Sequence, residues 1–221
     1  MAWVVHPSAT ACHARRAAGP WLLGYREPVS DARSLIILRG NSGAGKSAVA
    51  RAVRDAYGRG CALVEQDHLR RIVLREHDTG GLAPRLIVET TRVALEGGYH
   101  VVLEGILPSG HYGEALRDLT AAHGGPSFEY YLAVSLEESL RRHRTRPAAD
   151  FGPEQMRDWY QADDLLGTPG ELVIPQTSPL ERSIEFVLHT SGLRATGPAS
   201  WCPISCPRCR SENANGRPGT G

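Results

Sequence analysis

Between Ser34 and Arg194, short apolar runs alternate with stretches of helical period. Leu35-Ile36-Ile37-Leu38 has strand length, β-branched residues at its centre and no polar break, the pattern of a strand covered on both faces of a parallel sheet. After Ser47, apolar residues recur at 49, 52, 53 and 56 until Gly58 and Gly60 stop them, which predicts a helix. Cys61–Glu65 predicts a second strand, followed by Asp67 and a helical stretch through Leu69, Ile72, Val73 and Leu74. A longer helix is predicted from about Pro84 to Glu96, closed by Gly97-Gly98. Val101-Val102-Leu103 predicts a third strand that ends in Glu104-Gly105. A helix near Glu114 to Ala122 leads to a fourth strand, Phe128 to Val134. Leu172-Val173-Ile174 predicts a fifth strand, and Ile184, Val187 and Leu188 mark the apolar face of a last helix.

Two helix starts are written in side chains. Ser135-Leu136-Glu137-Glu138 reads as a capping box. Ser178-Pro179-Leu180-Glu181 repeats that logic, with proline at the first helical position. Five strands with intervening helices imply an α/β fold, a three-layer sandwich around a five-stranded parallel sheet. Ligands then bind at the carboxyl ends of the strands, and Gly40, Asp67, Glu104 and Ser135 all fall there.

The periodicity divides the chain into residues 1–33, a domain over 34–194, and residues 195–221. The first segment carries Ala, Arg and Pro without a period and reads as a poorly ordered extension or the product of an early start codon. Its Arg-rich, acid-poor character also fits a transit peptide. The last segment is rich in Gly, Pro, Ser and Asn and is expected to be disordered. Cys202, Cys206 and Cys209 form C-x₃-C-x₂-C within it, without a fourth ligand nearby. Five cysteines with no pairing framework point to a reducing cytoplasm. A net charge of +1 gives no general argument for nucleic acid or a membrane surface as partner. No run approaches the roughly 18 apolar residues of a membrane span.

The chemistry begins between the first strand and the first helix. Gly40-Asn41-Ser42-Gly43-Ala44-Gly45-Lys46-Ser47 reads G-x-x-x-x-G-K-S, the phosphate-binding P-loop, and it sits in the required strand–loop–helix context. Its glycines let backbone N–H groups close on phosphate, and the helix N-terminus adds a favourable dipole. Of the 25 lysine and arginine residues only Lys46 is a lysine, a flexible point charge suited to following a phosphate. The Ser47 hydroxyl is placed to ligate Mg²⁺.

Asp67, just past the second strand, can accept a proton from an acceptor hydroxyl or hold Mg²⁺ through water, and it can also cap the helix that follows. Arg70 and Arg71 on the next turn are either acceptor contacts or solvated helix residues. Glu104 occupies the strand-end position of the second P-loop carboxylate, which is usually Asp. Arg141-Arg142-His143-Arg144-Thr145-Arg146 is the densest basic cluster. Glu137 with Arg141 and Glu138 with Arg142 are i,i+4 pairs, whereas Arg144 and Arg146 have no such partner. Pro147 then breaks the helix, which suggests an arginine-bearing lid over transferring phosphates.

These residues resemble small P-loop kinases, among them chloramphenicol phosphotransferase, the zeta-toxin sugar-nucleotide kinases, and gluconate and shikimate kinases. The resemblance spans about Ser34 to Leu193. It implies ATP and Mg²⁺ as cofactors and transfer of the γ-phosphate to a hydroxyl of a small molecule. By the same resemblance the loop from Gly40 to Ser47 binds nucleotide phosphates, with Lys46 also catalytic. Asp67 matches the catalytic base, Arg142, Arg144 and Arg146 match the lid, and the loop around Thr177-Ser178 lies where such kinases contact adenine. Ser47 and Glu104 are the metal-side residues. There is no lid lysine and no clear gluconate or shikimate anion site.

Other P-loop classes are excluded by what is missing. An N-K-x-D guanine motif cannot exist in a chain whose sole lysine is Lys46, and no L-S-G-G-Q transporter signature is present. An ATP-binding regulatory or toxin-like protein without small-molecule turnover is the alternative to a kinase. The acceptor pocket is expected from residues 70–85 and 106–112, with His77, Asp78, His111 and Tyr112 as contacts.

Overall fold

The computed structural model describes residues 33–77, 81–144 and 151–196. Five strands, β1 (Leu35–Gly40), β2 (Cys61–Glu65), β3 (His100–Glu104), β4 (Ser127–Ala133) and β5 (Leu172–Pro175), form one sheet in the order β2-β3-β1-β4-β5. Every pairing is parallel, with Ile37 opposite Leu103 on one side and Glu129 on the other. The P-loop strand is thus central, as a strand apolar on both faces requires.

Alternation along β1 separates two cores. Ile36 and Leu38 pack with Val49, Val53, Val187 and Leu188 of α1 (Lys46–Tyr57) and α6 (Leu180–Thr190). Leu35 and Ile37 pack with Ile87, Leu95, Leu116 and Leu119 of α2 (Ala83–Glu96) and α3 (Ser109–His123). This is the expected three-layer sandwich. The remaining helices are α4 (Leu136–His143), α5 (Pro153–Trp159) and α7 (Leu193–Thr196).

Several boundaries differ from the sequence reading. β1 runs two residues further, to Gly40, because the charge on Arg39 is neutralised inside the protein rather than solvated. The stretch after Asp67 closes as a π-helical turn over His68–Val73, in which the Leu74 N–H donates to Leu69 O at 3.0 Å. α3 begins at Ser109 rather than near Glu114, since the buried Tyr112 and Gly113 already belong to its inner face. α5 has too short an apolar pattern to be read in advance; Pro153 opens it.

The two caps part company. Ser135 Oγ accepts the Glu138 N–H at 3.3 Å, so α4 has half of its box. The Glu138 carboxylate is taken by arginines, and Ser135 N–H donates instead to Gln176 Oε1 at 2.9 Å. At α6 the cap position belongs to Pro179, with extended ψ, and Ser178 stands outside, accepting from Ser183 Oγ. Arg141 pairs with Glu138 at i,i+3 rather than with Glu137. Among the described residues no helix is long and apolar enough to cross a membrane.

Candidate active site

The P-loop turns on three glycines with positive φ: Gly40 (142°), Gly43 (81°) and Gly45 (100°). Two of them also answer to close packing. A Cβ on Gly40 would lie 2.7 Å from Leu132 O, and one on Gly43 would lie 2.9 Å from Ser139 O. The loop is pinned against β4 and α4, and any side chain at these positions would push the cradle open. The cradle and the α1 N-terminus together present backbone N–H groups to an anion. Lys46 is buried, and its Nζ donates to Asn41 O at 3.0 Å. Ser47 Oγ donates to Glu104 Oε1 at 3.1 Å. A hydroxyl beside a carboxylate is a hard-oxygen pair of the kind Mg²⁺ takes alongside phosphate and water. Burial pushes the Glu104 carboxyl above its usual range; Lys46 and the Ser47 hydrogen bond pull it back, while Glu65 and Asp67 add to the rise.

Asn41 has a different task on its side chain. Its Nδ2 donates to Gln161 O at 2.7 Å and its Oδ1 accepts the Gln161 N–H at 3.0 Å. This amide pair moors the chain that follows α5 to the P-loop.

A groove of about 420 Å³ adjoins the loop, bordered by Ala44, Gly45, Arg142, Gln176, Thr177 and Leu180. Arg142 spans it: Nη1 donates to Ala44 O at 3.0 Å, Nη2 to Gln176 O at 3.1 Å, and Nε to Glu138 Oε1 at 2.6 Å. Arg142 is therefore built into the wall between the P-loop and the β5–α6 loop. Arg144 ends α4 with an exposed side chain. Arg146 lies outside the described residues.

Asp67 stands on the other flank. Its carboxylate is 57% exposed and makes no side-chain cap, which sets aside the capping role. Instead Oδ1 lies 3.4 Å from Arg71 Nε and 3.6 Å from Arg70 Nη2. Asp67 borders a second cavity, of about 750 Å³, with Arg70, Arg71, His77, His111 and Trp159 among its walls. His77 and His111 thus reach the expected acceptor side. Tyr112 is fully buried, and Asp78 lies outside the described residues.

The anchoring of this second cavity was not read from the sequence. Arg39, fully buried, donates from Nε to Leu107 O (3.0 Å) and pairs with Asp164 (2.8 Å) and Glu171 (3.3 Å). Asp164 accepts the Ser109 N–H and hydroxyl, fixing the start of α3. Glu171 accepts the N–H groups of Leu166 and Gly167. The signal was a charged residue one position before the P-loop, at the end of an apolar strand: such an arginine needs buried carboxylates.

The zeta toxin family model matches residues 25–158. No curated protein sequence matches the chain. Among solved structures, an APS kinase from Mycobacterium tuberculosis in complex with AMPPNP and APS superposes with a TM-score of 0.58 at 18% identity, covering 72% of this chain and 97% of that one. A sugar kinase from Janibacter sp. HTCC2649 gives 0.56 at 18%, over 76% and 99%. A gluconokinase from Sinorhizobium meliloti 1021 gives 0.55 at 20%, over 76% and 94%. The fold is that of the P-loop kinases.

Proposed function

This chain belongs to the zeta toxin family, and we propose that it is an ATP-dependent kinase that moves the γ-phosphoryl group to a hydroxyl of a small molecule. The observation that carries this reading is the pairing of a phosphate cradle with a separate, carboxylate-edged cavity at one edge of the sheet. ATP enters along the Thr177 groove, with its phosphates on the backbone of Gly40, Asn41, Ser42, Gly43, Ala44, Gly45, Lys46 and Ser47. Lys46 exchanges its bond to Asn41 O for a phosphate oxygen. Ser47 and Glu104 hold Mg²⁺, which supplies charge neutralisation on the phosphates when bound.

The acceptor occupies the cavity beside Asp67. Its oxygen attacks the γ-phosphorus, the hydroxyl proton passes to Asp67, and the bond from the γ-phosphorus to the β–γ bridging oxygen breaks to release ADP. Arg142 stabilises charge at the transferring group from the groove wall, with Arg144 adding charge from the α4 end; Arg146, the third arginine of the resemblance, lies outside the described residues. A cytoplasmic location accords with the cysteine usage.

Asp67→Asn is expected to keep ATP affinity within about twofold and to lower phosphotransfer by roughly 10²-fold or more. The assay is ATP consumption screened against hydroxyl-bearing metabolites and antibiotics, with the phosphorylated product identified by mass. Equal turnover in parent and variant would remove Asp67 from the mechanism. The second reading, ATP occupancy used as a regulatory or toxin-like switch, draws on the family match. It expects magnesium-dependent ATP binding and no acceptor-dependent ADP.

A further inference from the structure

Arg71 leaves the π-helical turn one helical step beyond Asp67 and reaches back to it. Taken alone this is an i,i+4 pair of the ordinary, weak surface kind. What sets it apart is its far side. The guanidinium lies over the Phe151 ring at 5.5 Å and over the Trp159 ring at 5.7 Å, both within cation–π range. Those two rings hold each other edge to face, with centroids 5.3 Å apart and planes at 62°. Phe151 is stacked in turn on His143, the last residue of α4, at 5.3 Å and 23°. A continuous chain of ring and guanidinium contacts therefore runs from the end of α4, through both ends of the α5 region, to the carboxylate on the far wall of the cavity.

The contacts on Asp67 are lopsided. Arg71 Nε and Arg70 Nη2 both approach Oδ1. Arg70 is held independently, since its Nη1 donates to His77 O at 3.1 Å and its side chain is nine-tenths buried. Both approaches are ion-pair distances rather than hydrogen bonds, so the two guanidinium groups bias the carboxylate toward them by charge. The Arg71 side chain is 28% exposed, so without a stacking partner it would sample many rotamers. The aromatic pair removes that freedom.

We propose that Arg71 is a positioning residue: held across Phe151 and Trp159, it orients the Asp67 carboxylate for the acceptor hydroxyl. This rests on the kinase reading given above. It makes the aromatic residues of the α5 region part of the acceptor side, although their contact with the base is indirect.

The kinetic test compares full-length parent, Arg71→Gln, Arg71→Lys and Trp159→Leu on the acceptor found by the product screen. Arg71→Gln is expected to lower kcat roughly tenfold while KM for ATP stays within about twofold. Arg71→Lys recovers part of the loss, because charge is kept and planar stacking is not. Arg71→Gln combined with Trp159→Leu is expected to be no slower than Arg71→Gln alone, since the ring acts through the guanidinium. Multiplying losses in the double variant, or a kcat untouched by Arg71→Gln, would overturn the proposal. Phe151→Leu repeats the cycle should Trp159→Leu fold poorly.

A second arm needs no acceptor. The chain has four tryptophans, and with 5-fluorotryptophan incorporated the Trp159 signal is assigned by its loss in Trp159→Leu. Asp67→Asn should shift that ¹⁹F signal in the parent and leave it in place in Arg71→Gln. A Trp159 signal indifferent to Asp67→Asn breaks the proposed connection even if the enzyme turns over. A normal shift in a parent that phosphorylates nothing rejects the kinase reading, and with it the catalytic meaning of the contact.

Discussion

The two cavities that flank the P-loop side of the sheet are built in opposite ways. The proposed nucleotide side is mostly backbone: eight consecutive residues whose positive φ angles fall on Gly40, Gly43 and Gly45, where they cost little. The proposed acceptor side is mostly side chain, drawn from the π-helical turn, the β3–α3 loop and the α5 region. Its backbone carries strain that glycine does not relieve. Among the described residues the three non-glycines with positive φ are Arg75 (57°), Leu107 (44°) and Asp163 (49°). Arg75 lines the cavity, Leu107 sits between two lining residues, and Asp163 follows Gln161 by two positions. Such conformations cost of order 1 kcal/mol or more each and persist only where surrounding contacts impose them. A contiguous cradle is fixed by its own sequence, whereas a cavity assembled from distant segments must be held by a network.

The sharpest way to break this contrast is to damage the cradle alone. Lys46→Ala should lower kcat/KM for ATP by about 10³-fold, roughly 4 kcal/mol of transition-state stabilisation. The melting temperature should move by only a few degrees, because neither of the two apolar cores on which the fold rests includes Lys46. A melting point that collapsed with activity would mean that the cradle is a structural keystone and the two sides are not separable.

Next in size is the network. Arg39→Leu leaves Asp164 and Glu171 buried without their counter-charge, which should destabilise the fold by about 3–4 kcal/mol in denaturant unfolding. In the protein that remains folded, KM for the acceptor should rise several-fold more than KM for ATP, since Asp164 also anchors Ser109 at the cavity wall. Equal rises in both constants would show that the Asn41–Gln161 amide pair transmits the damage to the P-loop.

How legible each side was follows from the same distinction. Strand positions, layers and the P-loop could be read because periodicity and a contiguous motif are local signals; the strand order β2-β3-β1-β4-β5 could not, because it is set by non-local pairing. Glu104 and Asp67 were singled out from their positions at strand ends, and one lies beside Ser47 while the other borders the larger cavity. Arg39 was passed over because its carboxylate partners lie more than 120 residues away, and Phe151 and Trp159 because ring contacts leave no periodic trace. Ser178 misled because Pro179, one residue later, takes the cap position itself.

A control for both comparisons lies at the opposite end of the sheet. His100 is buried at the start of β3, accepts the Ser34 N–H on Nδ1 at 2.9 Å, and has its pKa pushed down to about 4 from 6.5 by burial and by Arg33. The unfolded chain therefore binds the extra proton between pH 6.5 and 4. Stability from keeping His100 neutral is complete above 6.5 and lost as pH falls to 4, by about 3 kcal/mol at most. His100→Gln should flatten that slope in melting experiments. If the parent lost activity on acidification well before it lost this stability, the cause would lie at the site, where the Glu104 carboxyl is held above its usual range.

The smallest effect tests whether the nucleotide side is backbone alone. Ser135 Oγ caps α4 through the Glu138 N–H, and α4 carries Arg142 into the groove wall. Removing the hydroxyl in Ser135→Ala should cost about 0.5–1 kcal/mol of stability. If the cradle is self-sufficient, KM for ATP changes by less than about threefold, because Arg142 keeps its bonds to Ala44 O, Gln176 O and Glu138. A tenfold rise would instead place α4 among the determinants of nucleotide affinity. The contrast would then hold only between a cradle that depends on one neighbouring helix and a cavity that depends on several distant segments, because a helix start four strands into the fold would be setting the shape of a loop encoded almost a hundred residues earlier.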